Sequence, residues 1–253
     1  MAFKLNRCRR DYLYWIYLPI TVFTLFFSCK KEKDIVIEPI NFNPMIAYGI
    51  VNDQDGNAYK TVIIGTQDWM AENLRTTRFN DNTTIPLVKD STAWSKLMTP
   101  AYCWYENDAT TRQRIYGALY NWYAVNTDNL CPVGWHVPSD EEWITLRTYL
   151  GGEEIAGGKL KESGISHWQS PNTGATNQSG FTALPGGVRG IVGTGNMGKF
   201  GGRGTYSSWW STTRISSEPL SQIFGFRIHA DYSRLFRSEF YVTDGVTVRC
   251  IKD

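Results

Sequence analysis

An uncharged, mostly apolar run covers residues 12–27. It follows a segment in which Lys4, Arg7, Arg9 and Arg10 outnumber Asp11. Beyond it, residues 29–46 have no helical period and hold Pro39 and Pro44, the composition of a tether. A compact domain is expected from 47 to 253. It opens with β-rich runs at 48–51 and 59–64, and the Asp55-Gly56 turn between them predicts a hairpin. Residues 69–74 read as another strand, and 93–98 as a short helix. From 116 to 125 the spacing turns helical. Tyr116, Leu119, Tyr120 and Tyr123 share one face, while Ala118, Trp122 and Val125 cover another, so a buried helix is predicted. A second helix carries its own punctuation. Ser139 is a natural N-cap, Glu142 completes a capping box, and Trp143, Leu146, Tyr149 and Leu150 mark the buried side. Gly151-Gly152 ends it. Helical signals then fade, and residues 157–208 read as long-loop material rich in Gly, Ser, Thr and Asn. Strands are expected at 207–212, 223–229, 236–242 and 246–251, with Asp244-Gly245 as a hairpin turn. Strands, two main helices, a long loop region and further strands predict an α+β domain on an antiparallel sheet.

The N-terminus adds an address. A basic segment before a short apolar one is the layout of a secretory signal. The run falls short of the ~20 residues a helix needs to cross hydrocarbon, and Pro19 interrupts it. It ends in Leu25-Phe26-Phe27-Ser28-Cys29, which resembles a bacterial lipobox, so cleavage after residue 28 and lipidation of Cys29 are expected. The implied destination is the cell envelope, lipid-anchored at the outer membrane, with the membrane itself as first partner. The first 28 residues hold four bases and one acid, so their removal takes the formal charge from +2 to −1. That balance gives no support for nucleic acid as a partner.

Of five cysteines, Cys8 leaves with the signal and Cys29 is lipidated. Cys103, Cys131 and Cys250 remain, enough for one disulfide and one thiol. Cys103 lies between bulky aromatics in Tyr102-Cys103-Trp104-Tyr105, the setting of a buried, inert thiol. Asp53, Asp55 and Asn57 alternate as in a calcium loop, but no acid closes the loop and the turn accounts for them. His136, His167 and His229 form no metal-ligand pattern. No nucleophile elbow or phosphate loop is present, and neither a cofactor, a metal nor a catalytic residue is assigned. The unusual composition is aromatic, with Trp 10, Tyr 14 and Phe 12. Long loops carrying Trp and Tyr on a rigid scaffold suit recognition of a glycan or an extracellular protein. The ligand-binding candidates are Trp168, Arg189, Arg203, Tyr206, Trp209 and Trp210, with core packing the stronger reading for Trp209 and Trp210.

Several motifs occur in a fixed order: Tyr59-Lys60-Thr61-Val62, Trp69-Met70-Ala71-Glu72-Asn73-Leu74, Tyr116-Gly117-Ala118-Leu119-Tyr120-Asn121-Trp122, Leu130-Cys131-Pro132-Val133-Gly134-Trp135-His136-Val137-Pro138-Ser139, Ser179-Gly180-Phe181-Thr182-Ala183-Leu184-Pro185-Gly186-Gly187, Trp209-Trp210-Ser211 and Val248-Arg249-Cys250. Together they resemble the Fibrobacter succinogenes major paralogous domain over roughly 47–253. That family occurs on secreted and lipid-anchored proteins of Bacteroidetes and Fibrobacter-like bacteria. It is similar to the C-type lectin-like fold and, within it, to the formylglycine-generating enzymes. The resemblance implies a disulfide between Cys131 and Cys250. It also offers an alternative, an enzyme of the formylglycine-generating type, for which Cys103 would be the nucleophile. A purely structural envelope role is a further alternative. The calcium-lectin sugar motif is not matched, Glu218-Pro219 being its nearest approach.

Overall fold

The computed structural model describes residues 38–109, 113–190, 198–215 and 222–253. The expected signal, Cys29 and Glu218-Pro219 lie outside the described residues. The architecture is α+β, with antiparallel sheets throughout.

The predicted hairpin forms between β1 (Gly49–Asn52) and β2 (Ala58–Ile64). Asp53 builds its turn: Oδ1 accepts the N–H groups of Asp55 and Asn57, and Oδ2 accepts the Asn57 amide and the Tyr59 hydroxyl. Gly56 supplies the positive φ, +78°. β3 (Gln67–Met70) pairs with β2, and β12 (Ile251–Lys252) fits between β3 and β6 (Trp135–His136), giving the order β1-β2-β3-β12-β6. A second sheet, in the order β11-β10-β9, consists of β9 (Tyr206–Arg214), β10 (Gln222–His229) and β11 (Phe236–Tyr241). Two short pairs complete the set: β4 (Tyr102–Cys103) with β5 (Leu119–Tyr120), and β7 (Gly186–Arg189) with β8 (Phe200–Arg203).

The helices are α1 (Ser91–Ser95), α2 (Gln113–Tyr116), α3 (Trp122–Val125), α4 (Asp140–Tyr149) and α5 (Glu153–Leu160). α4 starts on the capping box read from the sequence, Ser139 and Glu142 satisfying each other's backbone N–H. It buries Trp143, Leu146 and Leu150, while Tyr149 points to solvent. Trp143 is the hub between the two larger sheets, with ring centroids 4.8 Å from Trp69, 5.5 Å from Trp209 and 5.2 Å from Phe226.

Four expectations need correction. The helix over 116–125 does not form as one piece. Gly117 takes φ +80° against the Asn73 side chain and the Leu74 carbonyl, and Asn121 starts the separate α3 as its N-cap. Burial of this segment was correctly read; its period was that of a packed irregular chain. Second, helix resumes directly after Gly152 as α5. A Cβ on Gly157 would meet the Arg234 carbonyl at 2.2 Å, and one on Gly158 the Gly174 carbonyl at 2.4 Å, so glycine serves close packing and not looping here. Third, 246–251 is no hairpin partner of β11. Residues 245–247 bridge in turn to Arg189, Tyr120 and Trp209, and only Ile251–Lys252 is a regular strand. Finally, residues 38–46 of the expected tether pack on the domain: the Asn41 N–H donates to Glu162 and the Asn43 amide to the Asn177 carbonyl. Among the described residues no helix is long and apolar enough to cross a membrane.

Candidate functional site

Four of the six ligand-binding candidates face inward. Trp168, Trp209, Trp210 and Arg189 are at most 2% exposed. Each indole N–H is committed: Trp168 to the Ala183 carbonyl at 2.9 Å, Trp209 to Asn73 Oδ1 at 2.9 Å, and Trp210 to the Tyr120 carbonyl at 2.8 Å. Arg189 donates to the carbonyls of Gly198, Val88 and Lys89 and lies between the rings of Trp94 and Phe200. These side chains hold loops in place, and in this conformation a ligand does not reach them. Aromatic abundance in loops signalled burial, because loops with few ladder bonds are fixed by large side chains beneath them.

Arg203 and Tyr206 remain at the surface, half-buried. Arg203 sits over Tyr105 and Tyr116, 5.7 and 5.6 Å from their ring centres. Tyr206 on β9 stands opposite His229 on β10, their rings nearly parallel with centroids 6.2 Å apart. The row continues through Tyr232, 5.5 Å from His229, to Phe236, 6.0 Å further on. Beside it, Arg227 lies over the rings of Tyr206 and Phe240 at 4.8 and 5.2 Å, with its Nε donating to Ser208 Oγ at 3.0 Å. Sequence reading missed Arg227, His229, Tyr232 and Phe236 as a group. The alternation of β10, which puts Ile228 inward and Arg227 and His229 outward, was the available signal.

The turn after β10 is pinned from below by Lys161. Its Nζ is buried and donates to the carbonyls of Thr173, His229 and Tyr232 at 2.8, 3.0 and 2.9 Å. Burial lowers its pKa to about 8. Asp244 is also buried. Its Oδ2 accepts the Tyr241 N–H, its Oδ1 has no hydrogen-bond partner, and burial pushes its pKa up to about 7.

Nucleophilic chemistry finds little support. Cys103 is fully buried, and desolvation pushes its pKa up to about 12 in spite of the neighbouring Arg189. A reactive thiol needs access and a lowered pKa. We expect Cys103 to stay silent towards a thiol reagent in the folded protein and to react once denatured; rapid labelling of folded protein would contradict its burial. No group of three metal-ligating side chains occurs among the described residues.

Two histidines act as clasps. His136 sets Nδ1 2.6 Å from Asp253 and Nε2 2.9 Å from Glu142. His167 sets Nδ1 2.7 Å from Glu162 and Nε2 3.1 Å from the Glu38 carbonyl. With acceptors at both ring nitrogens, each site favours the doubly protonated ring. Burial opposes that charge, and the hydrogen bonds to the carboxylates prevail, so both pKa values stand above the ordinary 6.5. The stability they add is complete below the unfolded pKa and is lost as pH rises through the folded one. We expect folding stability to fall as pH rises above the ordinary histidine value of 6.5, and His167→Gln to flatten that slope. A slope unchanged by the substitution would dismiss the clasp.

A family model, the Fibrobacter succinogenes major domain, matches residues 62–252. The chain belongs to that family. The match runs from β2 to β12 and takes in the aromatic hub, the Arg227 face and all three remaining cysteines. In this Fibrobacter succinogenes major domain Cys131 and Cys250 are joined by a disulfide, the pairing the resemblance implied. No curated protein and no solved structure gives a significant match.

Proposed function

We propose that this chain is a lipid-anchored cell-envelope protein whose globular part is a binding module for a glycan or an extracellular protein, built on a C-type lectin-like scaffold. The observation that carries the reading is the half-buried row Tyr206, His229, Tyr232 and Phe236 with Arg203 and Arg227 beside it. Flat side chains with few rotatable bonds give contact area at low entropic cost. The Cys131–Cys250 disulfide supports an oxidising compartment, and membership in the family supports an extracellular or envelope setting. The lipobox-like Phe27-Ser28-Cys29 supports the anchor.

An array of glycans and extracellular-matrix proteins, probed with the intact protein with and without calcium, tests the module. Specific binding that weakens in Tyr232→Ala is expected; silence across the array overturns the reading. Metabolic labelling with an alkynyl fatty acid tests the anchor, with label expected on the wild type and absent from Cys29→Ser. An unlabelled wild type would remove it.

A further inference from the structure

Arg227 differs from the arginines whose terminal nitrogens are committed to protein acceptors. Arg189 and Arg249 spend their terminal nitrogens on backbone carbonyls, and Arg237 makes a two-point contact with Asp140. Arg227 is half-buried between Tyr206 and Phe240 and donates only its Nε, to Ser208. Among the described residues its two terminal nitrogens have no hydrogen-bond acceptor and no ion-pair partner. Asp244 is the acid whose field reaches it, without forming an ion pair. Those nitrogens are not among the buried polar atoms that lack a partner, so solvent reaches them and they are open to an acceptor that a ligand supplies.

Building on the binding-module reading, we propose that Arg227 is the receptor for the carboxylate of an acidic sugar of the uronic-acid class, whose ring packs on the adjoining His229–Tyr232 row. The geometry favours this class on two counts. A guanidinium held flat by rings and fixed at Nε presents its terminal nitrogens as a fork that matches the two oxygens of a carboxylate. Tyr206 is covered by Arg227 and by the Gly202 backbone, and the apolar surface for the C–H face of a pyranose is Tyr232, 51% exposed, with the partly exposed His229 beside it. The proximity of Asp244 does not cancel the receptor. Its carboxyl is buried and bonded away at Oδ2 to the Tyr241 N–H, and burial holds its pKa up at about 7, so near neutral pH it is partly uncharged.

The test is a titration of the intact protein with glucuronic-acid-containing oligosaccharides and with the same oligosaccharides after carboxyl reduction to glucose. The acidic form is expected to bind on the order of tenfold or more tightly, as befits a charge-assisted two-point contact. Arg227→Gln is expected to abolish that preference. Should Arg227→Gln lower the unfolding temperature, Arg227→Lys is read instead; it keeps charge and stem but lacks the fork, and the preference is expected to shrink several-fold. Equal affinity for acidic and reduced forms, or a preference that survives these substitutions, overturns the proposal. If other array ligands still bind, the module reading stands without it; if nothing binds, both fall.

Discussion

Arg249→Met is expected to cost at least ~3 kcal/mol of folding stability, taking the low end of about 1–3 kcal/mol for each buried acceptor left without a donor. Arg249 is 1% exposed. Its Nε donates to Asn73 Oδ1 at 2.7 Å, and its terminal nitrogens donate to the carbonyls of Met70, Phe181 and Thr182. The guanidinium also lies 4.2 Å from the Phe181 ring centre. Methionine fills much of the volume and supplies none of the donors. Three segments distant in sequence lose their common tie: the end of β3, the loop at 181–182 and the C-terminal run. Burial lowers the Arg249 pKa to about 9, and the nearby Glu72 carboxylate offsets part of that cost. Urea unfolding checks the size of the loss, and a change below ~1 kcal/mol would show that the carbonyls find other donors or water. Arg249→Lys separates charge from geometry. It keeps a cation but not the fork, and an intermediate loss is expected.

Arg249, Arg189 and Lys161 are three instances of one device. Each is a buried cation that gathers backbone carbonyls from loops and lies near an aromatic ring: Phe181 for Arg249, Trp94 and Phe200 for Arg189, Trp168 for Lys161. Long stretches of this chain run outside helices and ladders, and their carbonyls still need donors. A guanidinium or ammonium at a crossing of loops satisfies several at once, and the ring faces offset part of the desolvation cost. Arg227 has the ring contacts without the carbonyls, which sets it apart from these three.

Local signals in the sequence were accurate where local physics decided the outcome. The capping box of Ser139 and Glu142, the Asp55-Gly56 hairpin and the β-rich runs of β9 and β10 all depend on near neighbours. The errors arose where tertiary contact overrode pattern. Gly157 and Gly158 read as loop and are helix, because Arg234 and Gly174 approach too closely for any side chain. Residues 116–125 carry a helical period and are broken by Gly117 packing on Asn73. Of the six ligand-binding candidates, Arg203 and Tyr206 lie at the rim; Trp209 and Trp210 are core, the stronger of their two readings, and Trp168 and Arg189 are core as well. Nothing in a single sequence separates an arginine that binds carbonyls from one that faces solvent. That difference between Arg189 and Arg227 exists only once the loops are folded around them.

Removing the disulfide, by the double substitution Cys131→Ser and Cys250→Ser, is expected to lower stability by roughly 4–5 kcal/mol, the chain-entropy value for a loop of this length. The two cysteines are 119 residues apart in sequence, and both are buried. The C-terminal run is otherwise held by contacts spread over several elements, Arg249 and the Val248 carbonyl among them. β12 is two residues long, and 245–247 are held by single bridges to three different elements. The Cys250 carbonyl accepts the Met70 N–H, so the bridge also fixes the edge at which β3 meets the end of the chain. Because Arg249 adjoins Cys250 and binds the same β3 terminus, the two losses are not independent. The triple variant should fall short of the sum, since either change alone already frees the segment. Equilibrium unfolding of wild type, both parents and the triple variant measures this directly. A disulfide loss under ~1 kcal/mol, or strict additivity with Arg249→Met, would mean that β12 holds its place through its own pairing and the His136–Asp253 contact instead.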